Sequence, residues 1–197
     1  MDTVFHLLDS IDTLEPGLRD YLYTALRTTQ HDQGEAIVRE SSIARTLGFI
    51  EKGLIRGFRI NYKGNQFTSW FMREGDIYAS VRSFFSQRPA TETVQCLEPT
   101  ILHSISFQQL QYILQKWPSF HRHRAELFEK YYLQSDEREE MRQGDAYSRF
   151  CYLMEHYPDL VSRVQDQYLA SFLNLTPTYY SDVKRRYFEE NPNGGRR

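Results

Sequence analysis

Between residues 48 and 91 the chain cannot be a run of helix. Gly48, Gly53, Gly57, Gly64 and Gly75 cut it at near-regular intervals, and short apolar, aromatic and β-branched runs lie between them. Glycine at that density leaves no apolar stripe of period 3.6, whereas strands joined by turns accommodate it. Lys63-Gly64-Asn65, between arms at 58–62 and 67–72, reads as a hairpin turn taken at positive φ. Gly75-Asp76 opens a second turn, and the small residues Ala79 and Ser80 behind it permit close backbone approach. Further strands at 35–39, 94–97 and 101–105 bring the expectation to seven or eight between 34 and 106, a small antiparallel roll or barrel.

Helical signals flank this core. Residues 2–29 carry apolar positions at spacings of three and four, broken at Pro16-Gly17, and are expected to be helical. Ser106 with Gln109 reads as a cap on a short helix to Lys116. After Trp117-Pro118 no Gly or Pro occurs until Gly144, which predicts a long helix. Phe120, Leu127, Phe128 and Tyr131 form an imperfect apolar seam along it, suited either to lying across the roll or to pairing with a second copy. Asp145 caps a further helix over 146–156.

Composition narrows the function classes. The chain has 197 residues with 24 Lys and Arg against 26 Asp and Glu, so a nucleic-acid interface would have to be a local patch. Cys96 and Cys151 sit in apolar runs and read as buried thiols in a reducing compartment. No window approaches the roughly 20 apolar residues of a membrane span, and the N-terminal residues lack a signal peptide's pattern. The expectation is a soluble, cytoplasmic protein with no membrane partner.

Near the C-terminus, residues 167–173 form a short helix, Asn174-Leu175 a tight turn, and Thr176-Pro177 the cap and first residue of a second helix. Asn tolerates the left-handed conformation such a turn requires, and Ala170, Leu175, Tyr180 and Val183 would be the buried hinge. This is helix-turn-helix spacing, although an αα-hairpin with no DNA role fits the same residues.

Two stretches carry a wider resemblance: G-D-I-Y-A-S-V-R-S-F-F in the roll, and R-F-C-Y-L-M-E-H-Y-P-D-L-V-S-R-V-Q-D-Q-Y-L-A-S-F-L-N-L-T-P further on. Over about residues 5–188 the chain resembles a Crp/Fnr-type transcriptional regulator of the cyclic-AMP receptor protein superfamily, of the divergent branch common in Bacteroidetes. The resemblance implies an α+β fold. A cyclic-nucleotide-binding-like β-roll of jelly-roll type with flanking helices would cover 1–116, and a long dimerisation helix 117–143. A helix-turn-helix DNA-binding domain would cover 144–190, and a flexible tail 191–197. It further implies a homodimer on double-stranded DNA, no enzymatic activity, and an effector pocket drawn from Gly75, Ala79, Ser80, Val81, Arg82, Arg88, Ala90 and Thr91.

Two departures bear on that expectation. The position of the family's ribose-binding Glu falls on Ser80, and that of its phosphate-binding Arg on Ala90. A buried phosphate without a cationic partner is costly, so cyclic AMP is not expected as a cofactor. Another small effector, or a filled pocket, are the alternatives. In the recognition helix, Ser181-Asp182-Val183 replaces a Ser-Arg-Ile type sequence, so Asp stands where a guanine-reading Arg is usual. Thr176, Thr178, Tyr179, Ser181 and Asp182 remain the groove-facing candidates, with Lys184, Arg185 and Arg186 as phosphate contacts. Few residues follow Phe188, so a β-hairpin wing is not expected. His121 and His123 point to different faces of a helix and are not read as metal ligands. There is no iron–sulfur cysteine cluster, phosphate-cradling glycine loop or nucleophile elbow.

Overall fold

The computed structural model describes residues 1–192; of the tail read at 191–197, residues 193–197 lie outside the described residues. Two compact units divide the chain: Met1–Arg59 with Ser69–Lys130, and Ile60–Thr68 with Tyr131–Arg197.

The first unit is an antiparallel roll flanked by helices. Helices α1 (Asp2–Ile11) and α2 (Pro16–Ala25) precede the strands β1 (Arg27–His31), β2 (Ala36–Val38), β3 (Thr46–Lys52), β4 (Ile55–Ile60), β5 (Gln66–Met72) and β6 (Ile77–Tyr78). The short helix α3 (Val81–Ser86) leads to β7 (Thr93–Cys96) and β8 (Thr100–Ser106), and α4 (Phe107–Lys116) follows. The strands form two four-stranded sheets, ordered β1-β8-β3-β6 and β2-β7-β4-β5. β8 lies between β1 and β3, with Thr28 opposite His103 and Phe49 also opposite His103. Its residues Leu102 to Ile105 are buried on both faces, as a central strand requires.

The helical reading of residues 2–29 is corrected at its end. Apolar spacing stops at Ala25, and Arg27–His31 is strand β1. Its Thr28 and Thr29 are β-branched, and β8 supplies a partner along the whole segment.

Ile50, Ile55, Val94, Cys96 and Leu102 are fully buried between the sheets, together with Phe84 from α3 and Ile113 from α4. Ser106 and Gln109 form the reciprocal capping box: Ser106 Oγ accepts from Gln109 N at 3.2 Å, and Gln109 Oε1 accepts from Ser106 N at 2.7 Å. In the hairpin loop Gly64 takes φ 81°, while Asn61 Oδ1 accepts from both Lys63 N and Asn65 N.

Cys96 is wholly buried, and burial pushes its thiol up to about 11. Cys151 is half-buried and shifted in the same direction, again chiefly by burial. A thiol rather than a thiolate is therefore present at pH 8. A disulfide-exchange reagent at that pH should leave Cys96 unlabelled in the native protein and label it promptly in guanidinium; fast native labelling of Cys96 would contradict the packing.

The second unit is helical. The long helix α5 (Phe120–Gln143) begins in the first unit and continues here, followed by α6 (Ala146–His156), α7 (Leu160–Arg163), α8 (Asp166–Phe172) and α9 (Pro177–Glu190). Phe150, Leu153, Leu160, Leu169, Ala170, Phe172, Leu173 and Tyr180 are its fully buried side chains among the described residues. Ser171 Oγ accepts from Thr68 N at 2.7 Å and donates to Gln66 O at 3.0 Å, tying α8 to the 60–68 segment of the same unit. No described helix is long and apolar enough to cross a membrane.

Candidate functional site: the roll interior and the helix-turn-helix

The roll candidates divide by burial. Ser80 and Ala90 are buried, Gly75 and Ala79 half-buried, and Val81, Arg82, Arg88 and Thr91 exposed. Gly75 takes φ 88° in its turn, with Asp76 Oδ2 accepting from Arg73 N at 3.1 Å. Burial raises the Asp76 carboxyl above its ordinary range. The segment after α3 is fixed by Ser83, which is fully buried: its Oγ accepts from Ala44 N at 2.9 Å and donates to Arg88 O at 2.5 Å. Arg88 thus contributes its carbonyl to the packing while its guanidinium stays outside.

Residues not singled out from the sequence fill the neighbouring interior. Trp70 of β5 packs against the roll core, and its Nε1 donates to Glu92 Oε2 at 3.1 Å; Glu92 is only 9% exposed. Gly57, paired with Val94, takes the indole against its bare Cα. A glycine inside a strand pattern was the one signal of such close approach. Arg56 and its partner Gln95 lie on the opposite face of that sheet by strand alternation, with Gln95 Oε1 accepting from Arg56 Nε at 3.1 Å and Nη2 at 2.9 Å.

The helix-turn-helix candidates come together on one surface. α8 ends at Phe172, Asn174 adopts φ 54°, and Leu175 N donates back to Ala170 O at 2.8 Å. Thr176 Oγ1 accepts from Tyr179 N at 3.2 Å, and Pro177 is the first residue of α9. Ala170, Tyr180 and Val183 are buried as expected, Leu175 half-buried, and Leu173 supplies the rest of the hinge. Arg149 of α6 was not anticipated. Its guanidinium donates to Gly144 O at 2.8 Å, Leu173 O at 3.0 Å and Asn174 O at 3.4 Å, capping carbonyls that the turn leaves open.

Thr176, Thr178, Tyr179, Ser181 and Asp182 are exposed along the N-terminal half of α9, with Tyr179 at 54%. The three cations are held in ion pairs: Lys184 Nζ to Asp166 Oδ1 at 2.9 Å, Arg185 Nη2 to Asp182 Oδ1 at 3.1 Å, and Arg186 Nε to Glu190 Oε1 at 2.8 Å. The Arg185 and Arg186 pairs are exposed, and Lys184 is half-buried against Asp166; exposed pairs contribute at most about 1 kcal/mol each.

The seam residues of α5 fall in different environments. Phe120 belongs to the core of the first unit, stacked on His123, and Leu127 packs against that core. Phe128 is 44% exposed, with its ring 5.1 Å from Phe85, and Tyr131 is half-buried. Tyr132 and Leu133 are the other exposed large apolar residues of the helix.

The family description "Cyclic nucleotide-binding domain" matches residues 28–116, from β1 to the end of α4. Most of the chain is similar to each of three solved structures of the corresponding architecture. The catabolite activator protein of Thermus thermophilus is 18% identical, with 93% of this chain and 87% of that one covered at a TM-score of 0.55. The c-di-GMP responsive global regulator CLP of Xanthomonas campestris is 14% identical, with 89% and 93% covered at 0.70. A protein of Eubacterium rectale described as a transcriptional regulator of the Crp/Fnr family is 14% identical, with 90% and 84% covered at 0.69. The chain has the Crp/Fnr fold. Its roll matches the cyclic nucleotide-binding domain of that architecture over residues 28–116, and its α5–α9 region corresponds in fold to the long helix and C-terminal helices. Among curated proteins, none matches this Crp/Fnr-like chain by sequence.

Proposed function

We propose that this Crp/Fnr-like chain is a homodimeric, DNA-binding transcriptional regulator whose roll does not take cyclic AMP. The observation that carries the reading is the α8–α9 pair. Its turn is closed by Asn174 and Arg149, and the N-terminal half of α9 is exposed for a major groove. Dimerisation through α5 is supported by Phe128, Tyr132 and Leu133, large apolar groups that one chain leaves exposed. The degenerate pocket is supported by Ala90 in place of a cation, by outward-facing Arg82 and Arg88, and by Glu92 within the roll. A small effector of another kind would act by shifting the balance of dimer geometries, and with it the spacing of the two α9 helices.

A protein-interaction or ligand-binding module that has lost DNA contact is the second reading. It is favoured by the charge balance of α9, where Asp182, Glu189 and Glu190 offset Lys184, Arg185 and Arg186. Selection of bound duplexes from a random library at low salt separates the two. A two-fold-symmetric motif with half-sites about one helical turn apart supports the regulator; absence of enrichment from an intact dimer supports the module. Replacing Lys184, Arg185 and Arg186 together by Ala should weaken binding to every duplex and flatten the dependence of log K on log salt by up to about 3. An unchanged slope would place the phosphate contacts elsewhere.

A further inference from the structure

The Trp70 indole does more than pack beside the roll core. A Cβ built on Gly57 would lie 2.1 Å from Trp70 Cε2 and 2.4 Å from both Cζ2 and Nε1, so the ring rests directly on bare backbone. No other residue type fits under it at 57. Its one polar atom is answered by Glu92 Oε2, 3.1 Å away. Glu92 is 91% removed from solvent, and among the described residues no cation pairs with it. A carboxylate in that position is costly unless hydrogen-bonded, and the indole N–H is the donor the chain provides. Two residues earlier Ala90 is buried and brings no charge.

Platform, polar anchor and flat aromatic guest are the components of a small-molecule site, with the guest supplied by the chain. We propose that Trp70 is a tethered effector: its indole occupies the ligand position of the roll, and Glu92 is the group that recognises it. The term effector rests on the regulator reading above; the occupancy of the roll does not. The chemistry selected is a flat aromatic N–H donor. A cyclic phosphate would have to expel the indole and then lie beside an unneutralised carboxylate.

The test uses the full chain and no DNA, so its failure is distinct from failure of the DNA-binding reading. Trp70→Ala should lower the Tm by roughly 10 °C. Free indole at about 1 mM should recover several degrees of that loss, by binding only the folded form. Benzothiophene, of the same shape without the N–H, should recover less, and adding Glu92→Leu should erase the difference between the two. Neither indole nor cyclic AMP should shift the wild type. A folded Trp70→Ala variant that indole fails to stabilise, or a wild type stabilised by either compound, overturns the proposal. Should Trp70→Ala not fold, Trp117→Phe leaves Trp70 as the sole indole fluorophore. Its emission should not move with about 1 mM cyclic AMP, and a shift overturns the proposal equally.

Discussion

Phe150→Ala is expected to remove about 3–5 kcal/mol from the stability of the C-terminal unit. Phe150 is wholly buried on α6, and its ring centroid lies 5.7 Å from Tyr180, 5.2 Å from Tyr187 and 6.4 Å from Phe188, all on α9. The contacts to Tyr180 and Tyr187 are tilted, at 55° and 56°, and that to Phe188 is edge-on at 79°, within the centroid range of favourable aromatic pairs. Truncation deletes both the buried ring and the anchor that fixes α9, while Phe150→Leu should cost far less because most of the volume remains. A chain of two units need not melt in one step, so the measurement is amide hydrogen exchange resolved by segment. Protection should collapse along α9 and persist in β8. Equal protection in both variants would mean that Tyr180 and Val183 hold α9 without Phe150.

Asp182→Arg should raise affinity for duplex DNA at low salt by about tenfold or more and steepen the salt dependence by roughly 1–2 in slope. Asp182 stands on the exposed half of α9, where its charge would repel a phosphate on the proposed DNA face, and it pairs with Arg185 at 3.1 Å. The side chains are 69% and 55% exposed, so the lost pair is worth little, and Arg185, left with only the long pair to Glu189 at 3.9 Å, becomes an additional phosphate contact. Asp182→Asn should give a smaller gain of the same sign, since it frees Arg185 without adding a charge. Titration of both variants on one nonspecific duplex at several salt concentrations checks this. If neither binds where the wild type does not, the second reading of α9, as a protein-facing surface, gains ground.

What was legible in the sequence was local. The capping box of Ser106 and Gln109, the Asp145 cap, the Asn174 turn and the Gly64 hairpin are each set within a few residues, and the folded chain carries them where spacing placed them. Strand β1 was not legible, because Arg27–His31 is polar and becomes a strand only through its pairing with β8. The same distance hides Trp70 with Glu92, Arg149 with Leu173 and Lys184 with Asp166. Phe120 shows the converse. Its spacing suits a helix seam, yet neighbours from outside the helix bury it within its own unit. Periodicity reports that a face is apolar and leaves open what covers it.

The strand order has a consequence for how the chain is made. β1 pairs with β8, and β2 with β7, so the first strands of the roll wait for the last. A nascent chain emerging from the ribosome therefore exposes β3, β4 and β5, with Ile50, Ile55 and Phe71, before residue 106 has been synthesised. Closing so long a loop is slow, and unpaired strand edges are vulnerable while it remains open. Within the helical region that follows, helix-to-helix contacts close over short separations, as between Gly144 and Arg149 or Ala170 and Leu175, and Ser171 reaches back to Gln66 and Thr68, which are already made by then. Synthesis thus delivers the slow-folding half first, giving the roll the whole translation time of α5 to α9 in which to find its register.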